Sequence, residues 1–199
     1  MAFKVRHPIL AKVEDKENYL RYILEEYPTL LKNWEERQEA EFARIAKEDS
    51  EGDREIECDI YNSLLRSLYN CDGKQEMFYQ SVFLMCYSCY ESCVSLLSKG
   101  ANPKESINAI CKTKNITLSE EVLGSIDYLQ SDMKVLRNNI CHNNFGTFRN
   151  VDVLKKIAAE NIGIEYSNDI LSITNPQIII LLLDKMHIIL HELCLPEKG

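Results

Sequence analysis

Apolar residues recur at three- and four-residue steps along most of the chain, and that spacing predicts helices almost throughout. From Glu14 to Tyr27, the residues Tyr19, Leu20, Ile23, Leu24 and Tyr27 share a helical face, and Pro28 is expected to stop or kink the run. A second helix, about 29–48, is highly charged, with Leu30, Leu31, Trp34, Phe42 and Ile45 as its apolar minority. Residues 49–53, a polar stretch containing Gly52, read as a loop. A third helix, about 54–70, carries Ile56, Ile60, Leu64, Leu65 and Leu68, and Asp72 with Gly73 breaks it. The fourth, about 75–99, is apolar on two sides. Phe78, Val82, Met85, Cys86, Cys89, Cys93 and Leu96 line one, and Tyr79, Phe83, Tyr90, Val94 and Leu97 the other, so it is expected to pack on both.

Gly100 and the Asn102–Pro103 pair signal the end of that helix, and a short helical segment follows near 104–113. Ser119 is placed to cap the next helix, with Glu120 and Glu121 in its first turn. Leu123, Ile126, Leu129, Met133 and Leu136 then carry one stripe into a polar stretch, 137–144, which closes the same helix. A brief helix is expected over 151–159, a small hairpin over 163–173 with its turn at 167–169, and a terminal helix from Pro176 to about Cys194. The pattern therefore predicts an all-α fold: an antiparallel helical bundle, residues 54–199, with an acidic helical N-terminal extension, residues 1–53, and a small β-hairpin before the last helix.

Composition agrees with this. Only 7 Gly and 5 Pro in 199 residues leave few turns between long elements. A hydrophobic share of 45% against 27% charged is that of an ordinary soluble domain. No run of about 18 wholly apolar residues and no leader-like start are visible, so neither a membrane span nor a signal peptide is expected. The eight Cys fall inside helical patterns, which favours free thiols in a reducing cytoplasm over a disulfide framework. Charge narrows the function classes. The net charge is −8, and residues 1–60 supply −6 of it, with 10 Lys and Arg against 16 Asp and Glu. That balance argues against broad, nonspecific nucleic-acid binding and leaves only a local cleft for such a ligand. For the acidic extension, a lid, a partner-docking hairpin and a plain solvated face all remain open.

Candidate chemistry concentrates in residues 136–144, where Arg137, Asn138, Asn139, His142, Asn143 and Asn144 fall within about two helical turns. Asn weakens a helix interior by competing for backbone hydrogen bonds, so stability alone does not select this stretch. Asn138 and His142 stand four apart on one face, with Arg137 about 100° to the side. Together they could surround a phosphate, with guanidinium for charge, imidazole for proton transfer and carboxamide for orientation. The plain alternative is a polar helix end whose Arg and His make only local hydrogen bonds. Glu91, a carboxylate on the otherwise apolar fourth helix, must face water or pair with a cation, and Arg137 is an available partner. Two further clusters read more simply. Cys86, Cys89 and Cys93 share a face but sit at core spacing, and Asp184, His187 and His191 share a face of the last helix without an evident fourth ligand. Core thiols for the first and two partly buried His in a core helix for the second are the defaults, and no metal or cofactor is expected.

The segment Arg137-Asn138-x-x-x-His142 resembles the R-x(4–6)-H signature of the HEPN superfamily, commonly written with Asn after the Arg. The resemblance covers about residues 54–195, with the aromatic-rich fourth helix before the motif and the hairpin and last helix after it, as in stand-alone bacterial HEPN proteins related to the RiboL-PSP group. It implies a metal-independent endoribonuclease of a toxin or phage-defence system, acting on RNA such as a tRNA loop. His142 would serve as base or acid in 2′-hydroxyl attack, Arg137 would bind the scissile phosphate, and Asn138 would fix geometry, with Glu91, Asn143 and Asn144 in support. It also implies a homodimer formed through the motif helices, whose shared cleft Arg149, Lys155 and Lys156 could make more positive. One departure concerns control. Some relatives continue the motif to a Tyr that an antitoxin modifies, where this chain has Asn144, so an antitoxin or regulatory protein would have to act by occlusion. The alternative class is a non-catalytic HEPN module that binds a nucleotide or a protein, and a purely structural helical adaptor is the third.

Overall fold

A computed structural model describes residues 8–69, 73–98, 103–142, 148–168 and 170–194. It is mostly helical, with a two-stranded antiparallel hairpin before the last helix, as the sequence pattern predicts. In chain order the elements are α1 (Pro8–Asp49), α2 (Arg54–Tyr69), α3 (Lys74–Ser98), α4 (Pro103–Lys114), α5 (Glu120–Gln130), α6 (Asp132–His142), α7 (Val151–Glu160), β1 (Ile164–Ser167), β2 (Ile170–Ile173) and α8 (Gln177–Leu193). The break expected at Asp72, the stop at Gly100 and Asn102, and the turn residue Asp169 lie outside the described residues.

Two expectations about continuity are corrected. Pro28 does not divide the N-terminal region: α1 runs through it for 42 residues. A proline removes one backbone hydrogen bond and crowds the preceding turn, and the long helix-favouring Glu-, Lys- and Leu-rich flanks offset that local loss. Conversely, the helix expected from Ser119 to the motif is two helices. Ser131 takes φ −101° and ψ −83°, well off helical geometry, although its N–H still donates to Asp127 O and its carbonyl still accepts from Val135 N. The Ser131 hydroxyl also donates to Asp127 O at 2.7 Å, the local backbone competition that bends helices.

The chain forms two compact units, residues 22–74 and residues 1–21 with 75–199. In the smaller, the end of α1 and all of α2 make a helical hairpin. Its turn is closed by Ser50 N–H to Ala46 O, and Gly52 adopts φ +92°. Asp53 caps α2 by accepting from Glu55 N–H at 2.9 Å. Arg44 spans Glu41 and Glu48 on the exposed face, and Lys74 lies over the Trp34 ring at 4.8 Å.

The larger unit is built round α8, whose Ile178, Ile179, Leu182, Leu183, Met186, Ile189, Leu190 and Leu193 are all buried. α5 packs against α8 and α6, and α7 packs against α6 and β1. The buried face of α5 and α6 is Val122, Ser125, Leu129, Met133 and Leu136. Leu123, expected on that stripe, is exposed, because α5 buries Val122, Ser125 and Leu129 at i, i+3 and i+7 and Leu123 stands about 100° round from Val122. Gly163, at φ +87°, lies where a Cβ would come within 2.3 Å of Asn175 Oδ1, the atom that caps the start of α8 by accepting from Gln177 N–H.

α3 meets the two-sided burial expected of it only in part. By length and composition its 25 residues, with a mean hydropathy of 1.2 over the most apolar window, are long and apolar enough to cross a membrane. In this fold Tyr79, Val82, Phe83, Cys86, Tyr87, Tyr90, Cys93 and Val94 go into the core, while Met85 and Leu96 remain exposed. The Tyr87 hydroxyl donates to Leu129 O at 2.9 Å, tying α3 to the end of α5.

Candidate functional site

The polar stretch falls on α6, and its members face three ways. Arg137 turns toward α3, where Nη2 donates to both carboxylate oxygens of Glu91 at 2.8 Å. Nη1 donates to Asn138 Oδ1 at 2.8 Å, and the guanidinium carbon sits 5.3 Å from the centre of the Tyr87 ring. Side-chain exposures of 24% for Arg137 and 30% for Glu91 make this a partly desolvated pair, open on one side. Opposite charges at this depth hold more strongly than on the surface, and the planar ring beneath fixes the tilt of the guanidinium. Burial, with the Glu91 charge second, raises the Tyr87 phenol well above the usual range, so it stays a neutral donor to Leu129.

Asn139 points inward. It is 5% exposed, and its carboxamide donates to Val135 O at 2.9 Å and Arg149 O at 3.0 Å while accepting from Arg149 N–H at 2.8 Å. It therefore clamps the chain that returns to α7 through the backbone of Arg149. The sequence pattern placed it only among the carboxamides of the polar stretch, with no structural role assigned. The available signal was an Asn in a helix interior at a core-facing position, which is tolerated only where its hydrogen bonds are met.

His142 ends α6, exposed, and its imidazole makes no hydrogen bond or ion pair with another described residue. Five residues separate it from Arg137, about 140° round the helix, so within one chain Arg137 looks toward Glu91 while His142 looks out. Asn138 lies on the His142 face yet reaches Arg137. Asn143 and Asn144 lie outside the described residues. Of the cations expected nearby, Lys156 is engaged by Asp132 at 3.1 Å and Glu160 at 3.8 Å, while the Arg149 and Lys155 side chains are exposed.

Beside the Arg137–Glu91 pair opens a cavity of about 500 Å³, lined by Tyr87, Glu91, Ile107, Asn108, Gln130 and Lys134 among others. The Gln130 carboxamide lies in its wall, beside the Tyr90 hydroxyl. The arrangement offers a guanidinium held at one edge of a mixed polar and apolar hollow, with amide donors inside.

The other sequence clusters resolve differently. Cys86 and Cys93 are buried and Cys89 is half-buried; burial pushes the Cys86 thiol up to about 12, as for a core thiol. His187 is half-buried on the core helix α8, as expected, and His191 is exposed. His187 Nδ1 meets Glu17 Oε2 of α1 at 2.9 Å, with 42% of its side chain exposed, and His191 is exposed and stacked on it at 6.0 Å between ring centres. Asp184 is ion-paired with Arg21. Among the described residues no three Asp, Glu, His or Cys side chains are grouped to hold a metal ion. No protein-family profile, no curated protein and no solved structure matches this chain.

Proposed function

We propose that this chain is a metal-independent endoribonuclease that acts as a dimer, with Arg137 and His142 as its catalytic residues and Asn138 and Glu91 as positioning residues. The observation that carries the reading is the held guanidinium: Glu91, Asn138 and Tyr87 fix Arg137 on α6, one and a half turns before an exposed imidazole. A guanidinium has five N–H groups, and three are used by Glu91 and Asn138, which leaves two for an incoming phosphate oxygen.

In the reaction, the 2′-oxygen of the substrate ribose attacks the adjacent phosphorus and gives its proton to an imidazole. The bond from phosphorus to the 5′-oxygen breaks, and an imidazolium returns a proton to that leaving oxygen. Two His142 side chains, one from each copy, would supply base and acid, and Arg137 would neutralise the charge that builds on the phosphoryl oxygens. The products are a 2′,3′-cyclic phosphate and a 5′-hydroxyl. Because Arg137 and His142 diverge within one chain, a dimer is the economical way to bring both kinds of group to one phosphate. Net charge −8 then favours a structured RNA, such as a tRNA loop, over any RNA, and restraint by a regulatory protein would act by covering the cleft.

A second reading is a non-catalytic nucleotide- or protein-binding module. It is favoured by the neutralisation of Arg137 by Glu91 and by the absence of any described group that orients His142. His142→Ala separates the two. Loss of RNA cleavage with RNA binding retained supports the enzyme, whereas wild-type protein that binds RNA and never cuts it supports the module.

A further inference from the structure

A second hollow lies away from the motif, within the larger unit, where the start of α1 faces α8. It has a volume of about 510 Å³ and is lined by Glu14, Asp15, Glu17, Asn18 and Arg21 of α1 and by Asp184, His187 and Ile188 of α8. Glu14, Glu17, Asn18 and Arg21 recur at helical spacing on one face of α1, over a rise of roughly 10 Å. Four carboxylates line the hollow against one guanidinium, and that guanidinium is already paired with Asp184.

Glu17 is the telling residue. Its side chain is only 8% exposed; Oε2 meets His187 Nδ1 at 2.9 Å, and Oε1 is buried with no donor among the described residues. A buried carboxylate oxygen without a donor is costly, and the arrangement is completed by any ligand that brings N–H groups and positive charge. A metal ion is a poor match, since no three ligating side chains are grouped closely enough to share one. An elongated cation is a better match, because the carboxylates are strung along a helix and Ile188 offers an apolar strip for methylene groups between charges.

We propose that the hollow between α1 and α8 is a binding site for a linear polyamine, with Glu17 receiving an ammonium group at its unpartnered oxygen. Glu14 and Asp15 supply the remaining charge, Asp184 being paired with Arg21, and His187 holds Glu17 in place from the far side.

Calorimetric titration of the full chain with spermidine tests this, with putrescine and MgCl2 as comparison cations at matched ionic strength. Saturable one-to-one binding of spermidine is expected, tighter than putrescine, with MgCl2 competing no better than NaCl. Glu17→Gln, which removes the charge but keeps the shape, is expected to weaken spermidine at least tenfold. Asn18→Arg, at an exposed position on the rim, places a tethered guanidinium in the hollow and is expected to abolish binding while circular dichroism stays unchanged. Unchanged affinity in both variants, or displacement of spermidine by MgCl2 at equal charge, would mean only general screening of an acidic surface and would overturn the proposal.

Discussion

Arg137 is held by three different physical contacts: charge to Glu91, a hydrogen bond to Asn138 and a ring face at Tyr87. Each fixes a different degree of freedom, so removing one should loosen the guanidinium without releasing it. Glu91→Gln keeps the shape and one acceptor but loses the charge. Since misplacement of a catalytic group by about 1 Å can cost roughly 100-fold, this variant is expected to reduce RNA cleavage about 10- to 100-fold with the fold retained. Unchanged cleavage would remove Glu91 from the account. Asn139 makes a separate prediction. Asn139→Leu strips the side-chain partners from the part-buried N–H and carbonyl of Arg149, an expected loss of about 1–3 kcal/mol of stability, read by urea denaturation. The pairing of Glu91 with Arg137 was legible in the sequence, because a lone carboxylate on an apolar helix needs a cation. The inward turn of Asn139 was not, because a run of carboxamides does not say which of them faces the core.

At the scale of elements, periodicity located most helices and the hairpin but misjudged where helices join. Pro28 looked like a stop because its local cost is visible in sequence, whereas the compensation comes from the sum of its flanks. Ser131 looked continuous because apolar spacing carries across it, and the bend arises from one dihedral angle and a hydroxyl. Gly163, by contrast, is a local necessity: Gly163→Ala forces a side chain into left-handed backbone and against the Asn175 cap, and is expected to cost about 1–2 kcal/mol of stability. Glu17 links α1 to α8 in a pH-dependent way. Burial raises its carboxyl above the ordinary 4.5, outweighing the opposing pull of His187 and Arg21. The folded state thus holds this proton more tightly than the unfolded chain does. Its stabilising contribution is complete below about pH 4.5 and is lost as pH rises through the raised value. Denaturation of wild type and Glu17→Gln over this acidic range is expected to show a decline in wild type that the variant lacks; identical profiles would contradict it.

For the whole molecule, the acidic balance that disfavours nonspecific nucleic-acid binding has to coexist with the proposed site for a phosphate. The proposed answer is local: α3 and α6 hold one guanidinium on an otherwise acidic protein, and dimerisation would double it. Fold class was legible in the sequence because helical periodicity and scarce Gly and Pro are spread over the whole chain. The candidate site was legible only as a set of residue types, since the directions of Arg137 and His142 depend on what α3 presents to α6. The most direct measurement is to incubate the purified protein in EDTA with total tRNA and with messenger RNA, beside Arg137→Ala and His142→Ala, and to determine the chemistry of the fragment ends. Discrete fragments ending in 2′,3′-cyclic phosphate, produced by wild type and by neither variant, are the predicted result. Cleavage that needs added divalent metal, or that persists in both variants, would contradict it.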